Sequence, residues 1–198
     1  ASDVYKRQQS TDDLEEADHS HAGRNVAPPE KRYGVVAVAA GAGLAEVFRD
    51  LGADGVISGG QTMNPSTEDI MREIDRTPAE IVYVLPNNKN IIMAAEQCIP
   101  LAEGKRVVVL PTKTVPQGIS ALMVMDPEGS EEDNTAAMTE ALGRVHTSEI
   151  TYAARDSDFD GFAIQRGDYL ALTEHQLFGT DRKLDKLLRR LAEAEPQQ

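Results

Sequence analysis

The sequence predicts an α/β fold: a parallel, doubly wound sheet of repeated strand–helix units, followed by a C-terminal antiparallel β extension and a terminal helix. Three observations predict it. Short runs of Val and Ile recur near residues 35, 55, 81 and 106, and each is followed by apolar residues at helical spacing. After residue 145 the apolar spacing changes to two, as in strands with one buried face.

The four strand–helix units follow each other at a regular interval. They are GVVAVAA with LAEVFRDL, GVISGG with STEDIMREI, IVYVLP with NIIMAAEQCIPLA, and RVVVLP with QGISALMVM. A spacing of roughly 25 residues suits a right-handed βαβ crossover. Continuous β-branched runs are typical of strands covered on both faces. A parallel sheet with helices on both sides follows.

The rest of the chain predicts a different architecture. EEDNTAAMTEALGRV indicates an acidic helix, and EITYAARD, FAIQRGD and YLALTE indicate antiparallel strands with turns at Asp160-Gly161 and Arg166-Gly167. The segment DRKLDKLLRRLAEAE predicts a final helix with Asp181 as its N-cap. One face of that helix would carry Leu184, Leu187, Leu188 and Leu191.

Composition divides the chain into a linker and one domain. Residues 1–33 contain DDLEEAD, HSHAG and APPEKR, a polar, acidic and proline-bearing composition that predicts a disordered linker. Residues 34–198 form the predicted α/β domain. With 40% hydrophobic residues among 198, the chain can bury one sizeable core.

Charge and cysteine content limit the kinds of partner and the location that this protein can have. The formal charge of -13 repels phosphate backbones and anionic lipids, which excludes nucleic acid as a partner. No apolar stretch is long enough to cross a bilayer, so we expect no membrane insertion. Cys98 is the single cysteine, and no segment resembles a secretory signal. These features predict a protein of the reducing cytoplasm.

Three polar loops leave the predicted strands at their carboxyl ends, where doubly wound sheets bind ligands. They are GGQTMNPSTED at 59–69, LPNNKN at 85–90 and LPTKTVPQG at 110–118. Their amides, hydroxyls and lysines predict a site that binds a partner or the head group of a ligand. The candidate residues are Gln61, Thr62, Asn64, Ser66, Asn87, Asn88, Lys89, Thr112, Lys113 and Gln117.

Each loop also has a purely structural interpretation. Asn64 or Ser66 can cap a helix whose dipole Glu68 and Asp69 complement. The asparagines of the second loop can form a turn and cap the next helix. The excess of asparagines over what one turn needs favours binding, as does the stiffening of the third loop by Pro111 and Pro116.

No catalytic or metal-binding pattern is found in the sequence. Gly41-Ala42-Gly43 follows a strand, but Glu46 stands where a dinucleotide fingerprint needs a third glycine. The four histidines show no ligand spacing outside the linker. We therefore predict no catalytic residue and no metal site.

Long blocks of the sequence resemble one known family. They are YGVVAVAAGAGLAEVFRDLGADGVISGGQTMNPSTEDI, IVYVLPNNKNIIMAAEQ, VVVLPTKTVPQGISAL, ITYAARD and DGFAIQRGDY. Together they resemble the C-terminal region of the large subunit of bacterial fatty acid kinase, which is a DAK2 or DhaL-domain protein of the glycerone kinase family. The resemblance covers residues 33–175 and is specific, because several long blocks recur in order.

The resemblance implies a multi-domain cytoplasmic kinase subunit in which this region is not catalytic. An N-terminal kinase domain, missing here, would bind ATP and magnesium; this region would need no cofactor. It would dock a DegV-type fatty-acid-binding protein, so that the fatty acid is phosphorylated to an acyl phosphate for phospholipid synthesis. The ending EAEPQQ comes earlier than in the family, which predicts a truncated C-terminus.

The same region is similar to the DegV-type proteins themselves, whose polar loops hold a lipid head group. By that similarity Gln61, Thr62, Asn64 and Ser66, with Asn87 and Asn88, occupy the matching loops. An alternative is a stand-alone dihydroxyacetone-kinase-like or phosphate-binding enzyme that uses Lys89 and Lys113. A homodimer stays open as a further alternative.

Overall fold

The computed structural model describes residues 24–60, 63–159, 161–173 and 176–194. Most of the linker predicted over residues 1–33 lies outside these ranges, as do the candidate binding residues Gln61 and Thr62. The described part contains a parallel sheet covered by helices, an antiparallel extension and a terminal helix. The predicted fold class is therefore confirmed.

A four-stranded parallel sheet forms the centre of the molecule, in the order β2-β1-β3-β4. Its strands are β1 (Lys31–Ala39), β2 (Gly55–Ser58), β3 (Ala79–Leu85) and β4 (Arg106–Val109). Strand β1 pairs on both sides: Val36 lies beside Gly55 of β2 and beside Val84 of β3. The four strands fall where the strand–helix units predicted them.

Helices cover both faces of this sheet. One face carries α1 (Ala42–Asp50), α4 (Val115–Met123) and α5 (Glu131–Gly143); the other carries α2 (Thr67–Arg76), α3 (Lys89–Glu96) and a 3₁₀ turn, Ile99–Leu101. Successive residues of β1 point to opposite faces. Val35 packs in a cluster with Phe48 and Met138, whereas Val36 packs with Ile70 and Ile91. Burial on both faces explains the continuous apolar runs.

The strand order creates a crevice at the carboxyl edge of the sheet. Helix α1 leads from β1 outward to β2 on one face, whereas α3 leads from β3 outward to β4 on the other. The chain therefore leaves Ala39 and Leu85 toward opposite faces of the sheet. Such a switch point is where open α/β sheets bind ligands. The three polar loops lie at this edge.

The segment before β1 packs against the opposite, amino edge. Arg24 makes two hydrogen bonds with the Asp75 carboxylate, at 2.8 and 2.7 Å, and donates to the Leu101 carbonyl at 2.7 Å. The Ala27 amide donates to the Asp75 carbonyl at 2.8 Å, and β1 begins at Lys31. Residues 24–33 thus differ from the predicted linker. An ion pair and backbone hydrogen bonds hold these residues in place. Because such contacts need no apolar side chains, the hydrophobic pattern of the sequence does not predict that the segment is ordered.

The C-terminal extension is antiparallel, as predicted. Its larger sheet has the order β5-β8-β9, and a separate hairpin pairs β6 with β7. The strands are β5 (Ser148–Tyr152), β6 (Ser157–Phe159), β7 (Phe162–Ile164), β8 (Tyr169–Thr173) and β9 (Gln176–Asp181). Strand β9 was not predicted. Gly179 interrupts its apolar pattern, because a side chain there would meet the Arg190 guanidinium.

The terminal helix α6 (Leu184–Ala194) begins later than predicted. Asp181 as its N-cap is wrong, because this residue ends β9 and its carboxylate accepts from the Lys183 amide at 2.9 Å. Of the predicted apolar face, Leu187 is fully buried, whereas Leu184 and Leu188 are 38% and 45% exposed. None of the helices within the described ranges is long and apolar enough to cross a membrane.

Candidate functional site

Asn87 fastens the second loop to the ends of the neighbouring strands. Its backbone N–H donates to Thr112 Oγ1 at 2.9 Å, and its Nδ2 donates to the Val38 carbonyl at 2.9 Å. Asn87 and Thr112 are both buried. Asn87 has a φ of 55°, a region that asparagine tolerates better than most residues. The structural interpretation of this asparagine is therefore supported. Asn87 links β1, β3 and the loop after β4.

The Oδ1 atom of Asn87 has a different environment. It is a buried side-chain acceptor without a hydrogen-bond partner among the described residues. Leaving such an acceptor unpaired costs about 1–3 kcal/mol. Gly118, in the first turn of α4, lies against this oxygen: an added Cβ would meet Oδ1 first and would lie 2.7 Å from Asn87 Cγ. The side chain is thus held by contact as well as by hydrogen bonds.

Asn88 connects the second loop to the first. Its Nδ2 donates to the Gly60 carbonyl at 2.7 Å, and its Oδ1 accepts from the Asn90 amide at 2.9 Å, which caps α3. Both polar atoms of this side chain are therefore engaged. Lys89, the first residue of α3, is exposed and makes no ion pair with any described residue.

The third loop is folded by its own side chains. Gln117 Oε1 accepts from the Lys113 amide at 2.8 Å, and its Nε2 donates to the Leu142 carbonyl at 3.2 Å. Thr114 caps α4 and lies 2.9 Å from the Thr147 hydroxyl. Lys113 is exposed and has no side-chain partner in the described part of the chain. It borders a cavity of about 310 Å³ that His146 and Glu149 of the extension also line.

The first loop is only partly described. Ser66 caps α2 with a full capping box: its Oγ accepts from the Asp69 amide at 3.1 Å, and the Asp69 carboxylate accepts from the Ser66 amide. Hydrogen bonds from the Ser66 side chain and backbone, with Arg72 nearby, hold the pKa of Asp69 below its usual value. Asn64 is exposed. Ser66 therefore has the structural role considered for it, while Gln61 and Thr62 lie outside the described residues.

The structure brings together residues of all three loops, but in two roles. Asn87, Asn88 and Thr112 hold the loops to one another, whereas Lys89 and Lys113 extend into solvent. The sequence did not predict that the Gly60 carbonyl accepts a hydrogen bond from Asn88, or that Gly118 packs against Asn87. A glycine inside a helical pattern often marks a close approach, so Gly118 was the available signal.

Comparison with protein families identifies the region. The family model for the C-terminal region of FakA-like fatty acid kinase proteins matches residues 34–195. This chain belongs to that family. The match begins at Gly34, inside β1, and covers the rest of the parallel sheet, its helices and all of the described extension.

Curated relatives of this family member are considerably longer. Protein YloV of Bacillus subtilis is 45% identical over 157 residues, which cover 79% of this chain and 28% of that protein. A protein of Staphylococcus epidermidis is 46% identical over 147 residues, covering 74% of this chain and 26% of that protein. The chain therefore spans about a quarter of the relatives that it matches.

A solved structure has a similar fold. A DegV family protein, Cg2579 from Corynebacterium glutamicum, superposes with a TM-score of 0.59 over 82% of this chain and 72% of that chain. The sequences are 16% identical, so the likeness shows the fold alone. The resemblance to fatty acid kinase and the DegV-like architecture are both confirmed.

Proposed function

We propose that this region is the non-catalytic docking domain of a cytoplasmic fatty acid kinase. It would bind a DegV-type fatty-acid-binding protein, while a DhaL-like kinase domain of the longer protein uses ATP and magnesium to form the acyl phosphate. The carboxyl-edge surface, made by the exposed parts of the three polar loops around Lys89 and Lys113, would bind the carrier.

The ties between the loops are the main support for this surface. Asn87 and Asn88 connect the three loops through hydrogen bonds of 2.7–2.9 Å. A surface held in place before binding loses less conformational entropy on association than mobile loops do. Lys89 and Lys113 are exposed on this surface, form no ion pair with a described residue, and can meet acidic groups of a partner.

The attachment of the preceding segment also favours the carboxyl edge. Arg24 is held at the amino edge by Asp75, and the nine residues of β1 separate the two edges. At about 3.3 Å per residue, the strand spans roughly 30 Å. Residues 24–30 therefore pack at the amino edge, far from the three loops.

Calorimetric titration of this chain with an acyl-loaded DegV-type carrier tests the proposal. We expect binding, and a weakening of at least about tenfold, or 1.4 kcal/mol, in the double variant Lys89→Ala/Lys113→Ala. Lys186→Ala is the matched control, because Lys186 is an exposed lysine on α6, an element that carries none of the three loops. Unchanged affinity of the double variant would refute the proposed surface.

A titration with ATP and magnesium separates the alternative function. The docking proposal expects no heat of binding from ATP with this region. ATP binding that the double lysine variant removes, together with no carrier binding, would instead support a phosphate-binding enzyme that uses Lys89 and Lys113. Thermal unfolding of each variant checks that the fold is retained.

A further inference from the structure

Met63 is an exposed apolar residue in the first polar loop, at the carboxyl edge of the sheet. Its side chain is 80% exposed, the largest exposed fraction of any large apolar residue within the described ranges. Single exposed apolar residues are common on protein surfaces and need no functional explanation by themselves. Two further observations, a fixed backbone and a neighbouring cavity, distinguish Met63 from such residues.

The backbone of Met63 is held in place although its side chain extends into solvent. The Gly60 amide donates to the Met63 carbonyl at 3.0 Å. Pro65, two residues further on, packs so closely against Gly59 that a Cβ added there would lie 2.7 Å from Pro65 Cδ. Ser66 then caps α2. Binding through Met63 therefore costs the entropy of one flexible side chain, because its backbone is already fixed.

Gly60 also connects Met63 to the rest of the proposed docking surface. Its carbonyl accepts from Asn88 Nδ2 at 2.7 Å, and Lys89 is the next residue along the chain. Met63 follows β2, Lys89 follows β3 and Lys113 follows β4, in a sheet of the order β2-β1-β3-β4. Neighbouring strands lie about 4.8 Å apart, so the strands that lead to the two lysines lie roughly 10 and 14 Å from β2.

A cavity of about 430 Å³ lies beside Met63, with room for one aromatic or branched aliphatic side chain. Ile57 and Pro65 contribute apolar groups to its lining. Its charged lining residues all belong to α2 and form ion pairs within that helix. The contact available at this corner is therefore apolar, in contrast to the charged contacts that Lys89 and Lys113 offer.

We infer that Met63 and this cavity form the apolar contact of the docking surface. The carrier meets them with an exposed aromatic or aliphatic side chain, which enters the cavity and packs against Met63 and Ile57. The acidic groups that meet Lys89 and Lys113 lie roughly 10–15 Å from that side chain. Such a combination of a buried apolar contact with charged groups around it is typical of protein interfaces. The inference rests on the proposed function, because it concerns the same partner.

Calorimetric titration of three variants with the acyl-loaded DegV-type carrier tests the inference. Met63→Gln keeps the length of the side chain but removes its apolar end, so we expect binding at least about tenfold weaker than that of the wild type. Met63→Leu stays apolar at a similar volume and should bind within about threefold of the wild type. Met123→Gln is the matched control, because Met123 is 69% exposed and ends α4, about 12 Å from the start of that helix. Its affinity should equal that of the wild type.

The outcomes separate this inference from the proposed function. If the wild type binds the carrier and Met63→Gln binds it equally well, the inference is overturned and the proposed function stands. Equal weakening by Met63→Gln and Met123→Gln would also overturn the inference, because the effect would not be specific to this corner. If the wild type binds no carrier, the proposed function fails and the inference fails with it. Thermal unfolding of each variant checks that the fold is retained.

The methyl signals of the six methionines give a direct second measurement. In a chain labelled with ¹³C-methyl methionine, the Met63 signal, assigned from its loss in Met63→Leu, should shift when the carrier is added. The Met123 signal should stay in place. An unchanged Met63 signal in the bound complex would show that the carrier does not contact this side chain, and would overturn the inference.

Discussion

The side chain of Asn87 joins β3 to β1, with Nδ2 donating to the Val38 carbonyl at 2.9 Å. The same residue binds Thr112 through its backbone N–H, so it also holds the loop after β4. Its positive φ turns the chain toward both partners. One residue therefore fixes the carboxyl ends of three strands, and the candidate docking surface depends on it.

Replacing this residue should destabilise the fold. We expect Asn87→Ala to lower the free energy of unfolding by about 1–3 kcal/mol, because the Val38 carbonyl loses its side-chain donor and alanine tolerates a positive φ poorly. Urea denaturation measures the change. Asn64→Ala is the control, since Asn64 is exposed, and it should stay within about 0.5 kcal/mol of the wild type. Equal stability of the two variants would contradict the structural role of Asn87.

The close approach of Gly118 to Asn87 gives a second prediction. Gly118→Ala places a Cβ 2.7 Å from Asn87 Cγ, so we expect a loss of about 1–3 kcal/mol in the free energy of unfolding. Gly143→Ala, at the end of α5, has no atom within 4 Å of the added Cβ and should be neutral or slightly stabilising.

A double variant tests whether Gly118 and Asn87 act through this contact. In Asn87→Ala/Gly118→Ala the added Cβ no longer meets the amide, so the loss should be smaller than the sum of the two single losses. Thermal unfolding monitored by circular dichroism provides the comparison. Additive losses would show that another neighbour limits Gly118.

The contribution of the Arg24–Asp75 ion pair to the free energy of unfolding can be measured separately. Arg24→Ala removes both hydrogen bonds to the Asp75 carboxylate, which is nearly buried, and we expect a loss of about 1–3 kcal/mol. Arg144→Ala breaks an exposed pair with Glu140 and should cost less than about 1 kcal/mol. Urea denaturation of both variants decides the point; similar small losses would mean that the Arg24 anchor contributes little.

Ionisation of the Cys98 thiol should lower the free energy of unfolding at alkaline pH. Burial raises the pKa of its thiol to about 11, from an ordinary value of 9.0. The native state keeps this proton at pH values where the unfolded chain has lost it. The contribution to stability is therefore complete below about pH 9 and is lost as the pH rises to about 11.

A cysteine-free variant isolates this effect. Between pH 9 and 11 the free energy of unfolding of the wild type should fall by about 2 kcal/mol more than that of Cys98→Ala. Urea denaturation at a series of pH values gives both curves. Parallel curves would show that the thiol ionises equally in the two states.

The fold was largely predictable because its signals are local. Runs such as GVVAVAA and IVYVLP predict strands that are covered on both faces, and each strand lies in the sheet at the expected place. Strand β9 escaped prediction because Gly179 makes room for a side chain of α6. Asp181 was misassigned as a cap because a carboxylate before a helix-like segment also suits the end of a strand.

The location of the candidate site was predictable from the sequence. The role of each side chain within it was not. The sequence puts amide-rich loops after three strands, and parallel strands end at one edge, so their proximity follows from topology. Whether an asparagine faces solvent or ties two loops depends on which carbonyl it meets. Val38 and Gly60 are 49 and 28 residues from Asn87 and Asn88, and no local pattern encodes such pairs.

The sequence by itself determined the architecture and the family, because hydrophobic periodicity and long ordered blocks are properties of the linear chain. Only the tertiary structure decided that the side chains of Asn87 and Asn88 connect the loops, whereas those of Lys89 and Lys113 are exposed. It also decided that Arg24 belongs to the folded domain. Hydrogen bonds and ion pairs act over about 3 Å in space, whatever the separation along the chain. Their partners are therefore set by the fold.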